Sequence, residues 1–80
     1  MVTIIGIKLN NRIENAVEVQ ELLTRYGCYI KTRIGLHEEH HEGCSPCGLI
    51  LLELTDDTKA QELGMELCDI SGIEIQHMRF

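Results

Sequence analysis

Basic residues are scarce in this chain: seven Lys and Arg stand against thirteen Asp and Glu in 80 residues, a formal net charge of -6. Nucleic-acid affinity rests largely on neutralising phosphates, so direct nucleic-acid binding by this chain alone is not expected. There is no helix-turn-helix pattern or basic arm to supply it locally. Nor does any apolar run approach the ~20 residues of a membrane span. Met1 leads straight into a strand-like segment without the basic start and cleavage site of a secretory leader. We therefore expect a cytoplasmic protein with no membrane segment. A Gly-rich phosphate loop between strand and helix is missing, as is a scaffolded Ser-His-Asp set, and no enzyme activity is expected.

Proline occurs once, and 44% hydrophobic with 25% charged residues is the composition of an ordinary folded chain. Its length leaves room for one core, a single domain over residues 1–80. A chain of this size buries only about 60% of its unfolded surface, so extra burial from a metal, a disulfide or a second subunit is expected. A homo-oligomer, dimer or tetramer, follows as the working expectation.

Residues 2–9 are rich in β-branched side chains and alternate Thr3, Ile5, Ile7 and Leu9 against Val2, Ile4, Gly6 and Lys8, which predicts a strand. Asn10 and Asn11 offer an N-cap, with Glu14 placed to complete a capping box around Asn11. Ile13, Ala16, Val17, Val19, Leu22, Leu23 and Tyr26 then recur at helical spacing, and Gly27 is the expected left-handed stop. From Cys28 the period becomes two, with Cys28, Ile30, Thr32, Ile34 and Leu36 on one face of a second strand and Tyr29, Lys31 and Arg33 on its outer face. Residues 49–54 are almost continuously apolar and read as a third strand buried on both sides. Asp56, Asp57 or Thr58 caps a second helix with Ala60, Leu63, Leu67, Cys68 and Ile70 inward, ended by Ser71-Gly72, and residues 73–80 form a fourth strand.

The order βαββαβ predicts an α+β, ferredoxin-like two-layer sandwich: a four-stranded antiparallel sheet of order 4-1-3-2 under two helices. Its central strands then carry Val2, Ile4, Leu49 and Leu51 on the face away from the helices. Such a patch favours an oligomer interface over chance exposure.

The main functional signal lies between the second and third strands, where residues 37–48 hold three of the four His, two of the four Cys and the only Pro. Thiolate and imidazole suit borderline-soft ions, and a Cys-x-x-Cys spacing lets two sulfurs close on one ion. His37, His40, His41, Cys44 and Cys47 are the candidate metal ligands. Zinc, nickel, iron or an iron-sulfur cluster all fit such a donor set, and a second subunit could complete it. A solvated loop whose His and Cys do nothing is the plain alternative. A thioredoxin-type dithiol at Cys44 and Cys47 is disfavoured, because the pair sits among three carboxylates rather than at a helix N-terminus. Glu38, Glu39 and Glu42 lack the dry pocket that acid-base catalysis needs. Cys28 and Cys68 are expected as packed thiols and His77 as a packed or hydrogen-bonded side chain.

Met1-Val2-Thr3-Ile4-Ile5-Gly6-Ile7, Arg33-Ile34-Gly35-Leu36-His37 and Ile70-Ser71-Gly72-Ile73-Glu74-Ile75 together resemble the small ACT-like regulators of the iron-only hydrogenase system, over nearly the whole length. More distantly the chain is similar to the C-terminal metal-binding domain of the nickel-responsive repressors. Cys44 matches that family's nickel-binding Cys in position. Its His-x-His pair, however, falls on Leu36 and Glu38 here, so the planar nickel site is not carried over. The resemblance implies a regulatory, ligand-sensing ACT-like domain; with no helix-turn-helix or basic arm in the chain, any regulation of transcription is expected to act through a partner protein. Two functions follow as expectations: a non-enzymatic regulator that binds metal through the loop, or an ACT-like module for a small molecule or partner protein with the loop incidental.

Overall fold

A computed structural model describes residues 2–9, 13–37 and 48–80 of the chain. In order these form β1 (Thr3–Leu9), α1 (Ile13–Arg25), a 3-10 turn (Gly27–Tyr29), β2 (Ile30–His37), β3 (Gly48–Leu54), α2 (Asp57–Cys68) and β4 (Ile73–Arg79). The strands make one antiparallel sheet in the order β2-β3-β1-β4, as the alternation of strands and helices predicts. Both helices cover one face.

The alternation in β1 decides which face that is. Thr3, Ile5, Ile7 and Leu9 are buried against the helices, while Val2, Ile4 and Gly6 stay partly exposed on the other side. Val19, Leu22 and Leu23 of α1 and Ala60, Leu63 and Leu67 of α2 close over Ile50, Leu52 and Leu54 of β3. Asp56 caps α2 by accepting from the backbone N–H of Lys59 at 3.1 Å. The proposed caps Asn10 and Asn11 lie outside the described residues.

Several expectations are corrected. Gly27 is not left-handed; it opens the 3-10 turn, and among the described residues only Gly72 has a positive φ, +85°. Cys28 sits in that turn and is exposed, so β2 begins at Ile30. Cys68 is exposed as well, because the buried stripe of α2 runs through Ala60, Leu63, Gly64 and Leu67 and leaves the next residue about 100° around the helix. Val17 is exposed on the outer side of α1. β3 is buried on one face only: Ile50, Leu52 and Leu54 point inward, whereas Leu49 and Leu51 share the open face.

The largest correction lies in β2. A bulge at Lys31 shifts the register between Ile30 and Thr32, so Ile30 pairs with Leu54 on the helix side but Thr32 pairs with Glu53 and Ile34 with Leu51 on the open side. Directly opposed residues of an antiparallel pair share a face. One inserted residue therefore turns Ile34 out of the core and brings Arg33 under α1, where its guanidinium meets the Gln20 side chain.

Candidate functional site

Two places on the sheet carry the functional signal, and the first is the end where β2 meets β3. The ladder runs to the pair His37 and Gly48, so the two ends of the intervening ten residues are held side by side. His37 is thus the last residue of β2. Glu38, Glu39, His40, His41, Glu42, Cys44 and Cys47 lie outside the described residues. Among the described residues no group of three or more His, Cys, Asp or Glu is placed to hold a metal ion.

The second place is the open sheet face. Its register sets Thr32, Glu53, Ile4 and Met78 in one row across the strands and Ile34, Leu51, Gly6 and Gln76 in the next. Leu49, Lys8 and Glu74 occupy the third. The centre is a shallow depression of about 290 Å³, lined by the apolar Ile4, Leu49, Leu51 and Met78 and by the polar Lys8, Glu74 and Gln76. Gly6 makes it: the site of an absent β-carbon there lies 3.6 Å from Leu51 Cδ2, which leans over the gap. A glycine inside a β-branched strand signals such an approach. Lys8, Glu74 and Gln76 belong to no motif in the sequence and come together only through strand pairing. The Glu53 carboxylate is fixed on this face, accepting from Thr32 Oγ1 at 2.9 Å with Lys31 Nζ at 4.0 Å.

His77 points to the helix side of β4, as Ile73 and Ile75 do, and packs on Gly64 of α2. Beside it, Thr3, Asp57, Gln61 and Arg79 line a small hollow in which Arg79 pairs with Asp57. At the far end of α1, the Tyr26 and Tyr29 rings meet at a tilt of 56° with centroids 6.4 Å apart, and Lys59 stands 5.1 Å from the Tyr29 ring. The Glu62 carboxylate, which accepts from Lys59 Nζ at 3.2 Å, raises the Lys59 pKa above its ordinary value. These groups tie α2 to the start of the sheet.

An uncharacterized protein of Thermotoga maritima superposes on the chain with a TM-score of 0.80 and 27% identity, over 96% of this chain and 92% of that one. The ACT domain of the GTP pyrophosphokinase of Chlorobium tepidum follows at TM-score 0.63 and 14% identity, over 98% and 97%. The fold is ACT-like and ferredoxin-like. A dimeric ferredoxin-like protein of unknown function from Jannaschia is also similar, at TM-score 0.59 and 12% identity over the whole of both chains. No family model and no curated protein matches the chain. Among the described residues, no helix is long and apolar enough to cross a membrane.

Proposed function

We propose that this ACT-like chain is a non-enzymatic, cytoplasmic regulatory domain that binds one transition metal ion, or an iron-sulfur cluster, through the segment between β2 and β3. The observation that carries this function is the closed ladder. Pairing His37 with Gly48 fixes both ends of a ten-residue segment at one sheet corner, which raises the effective concentration of its donors for one another. The donor set fits the group: Cys44 and Cys47 as thiolates with His37, His40 and His41 as imidazoles are the ligands that zinc, nickel and iron share. The ion would supply positive charge and a cross-link between the donors at the β2–β3 corner.

The chain works in this account as a homo-oligomer that passes the bound state to a partner protein. The resemblance to the hydrogenase-system regulators makes that system the one the domain would serve. Its net charge of -6 supports action through a protein partner rather than through DNA.

Thermal unfolding of the purified chain with and without chelator tests the function. Metal that binds the folded state at the ends of β2 and β3 raises the midpoint as its free concentration rises above Kd. The midpoint should fall on chelation and return on adding back one of zinc, nickel or iron. A midpoint indifferent to chelator and to all three ions would discard it, leaving the small-molecule or partner-binding module.

A further inference from the structure

The open sheet face gathers the exposed apolar surface of the chain. Seven large hydrophobic side chains stand exposed among the described residues, and Ile34, Leu49, Met78 and Phe80 all belong to this face. The bulge at Lys31 contributes directly, since without it Ile34 would point into the core. Pleated alternation places Phe80, paired with Val2 through both backbone hydrogen bonds, at one end of the same surface.

We propose that this face is the interface of a homodimer, in which two copies pack sheet against sheet about a twofold axis passing beside Leu51. The proposal rests on the oligomeric part of the function above and is independent of metal. Charge selects a second copy as the occupant. Lys8 stands two residues beyond Gly6 toward one end of the face, and Glu53 two residues beyond Leu51 toward the other, while Leu51 and Gly6 are cross-strand partners at the middle. A twofold axis running across the strands exchanges the two ends. Such an axis keeps each strand over its own copy, so each Lys8 lands over the partner's Ile4, one strand spacing of ~4.8 Å from the partner's Glu53 and within its reach, and Leu51 meets its own copy at the axis. An interface of this kind must be self-complementary. A face made for a strongly acidic or basic partner would carry one sign of charge; this one carries both, Lys8 beside Glu74 at one end and Glu53 beside Lys31 at the other.

The area is sufficient. Four strands at ~4.8 Å spacing and seven residues at ~3.3 Å rise give a footprint of roughly 20 by 20 Å. With side-chain relief, two copies bury on the order of 1,000–1,200 Å², the lower end of the range for specific interfaces. Two twisted sheets pack well with strands about 30° apart, and the dimer is expected to be reversible.

Sedimentation velocity of the full chain in chelator, over a wide concentration range, tests this. The wild type should self-associate, and Leu51→Lys should stay monomeric with an unchanged far-ultraviolet spectrum. Lys8→Glu and Glu53→Lys, which are surface changes and leave the core intact, should each weaken association at least tenfold. Combining them should restore most of the loss, because the ion pair is rebuilt with its sign reversed. A wild type that is monomeric throughout overturns both the dimer and the oligomeric part of the function above. An oligomer indifferent to these substitutions, or a double variant no tighter than the singles, overturns this face alone.

Discussion

The imidazole of His77 on β4 lies against the backbone of Gly64 on α2: a β-carbon on residue 64 would stand 2.6 Å from Nε2 and 3.1 Å from Cε1. The imidazole fits between strand and helix there because Gly64 presents no side chain. Alanine is otherwise better than glycine in a helix by about 1 kcal/mol. Gly64→Ala should therefore give no stabilisation in the wild type, since His77 must swing away. In a His77→Ala background it should stabilise by about 1 kcal/mol. Urea unfolding of the four chains reads the change of sign directly.

Gly72 makes a stricter demand. Its φ of +85° suits glycine alone, and a β-carbon there would collide with the amide nitrogen of buried Asn15. Gly72→Ala should cost about 1–3 kcal/mol by combining backbone strain with that collision. Equilibrium denaturation measures it, and an unchanged midpoint would mean that α1 and the turn before β4 do not meet as described.

The faces of the sheet can be told apart by mutation. Ile34→Thr should change the unfolding free energy of the dilute chain by less than about 1 kcal/mol, because the side chain is on the open face. Ile50→Ala, on the helix face, should cost about 2–5 kcal/mol. A large loss at Ile34 would show that β2 runs without its bulge.

Tyr26 provides a pH signature. Hydrogen bonding to Glu66, desolvation and the charges of Glu66 and Glu62 push its phenol up to about 12 from 10.0, against a lowering by Arg25. Between those values the unfolded chain releases this proton while the folded chain keeps it. Stability should thus be undiminished by this group below pH 10 and should fall as pH rises toward 12. Absorbance at the phenolate band should show a late-titrating tyrosine, moved to lower pH by Glu66→Gln.

Much of the fold was legible because its main elements carry periodic patterns. The 2-residue alternation in β1 and the buried positions of α2 named the core residues, and βαββαβ named the sheet order. The bulge at Lys31 left no such trace. Strict alternation from Cys28 to Leu36 is as regular in sequence as an uninterrupted strand, and only pairing with β3 shows where it breaks. Cys28 and Cys68 were misplaced for a related reason: a thiol fits a core or a surface equally well, so local pattern cannot place it. The depression over Gly6 was marked by glycine in a β-branched strand. Its polar lining is invisible until Lys8, Glu74 and Gln76 are brought together across β1 and β4. Of the candidate metal ligands, the structure places the backbone of His37 at the end of β2, and the other four lie outside the described residues.

The metal content of the protein bears most directly on the account as a whole. Elemental analysis of anaerobically purified wild type beside Cys44→Ser/Cys47→Ser, each with its mass in solution, should give about one metal, or one cluster's iron, per one or two chains in the wild type and none in the variant, in keeping with a structural donor set closed by two thiolates. Equal metal in both, or none in either after reconstitution with zinc, nickel or iron, would contradict it.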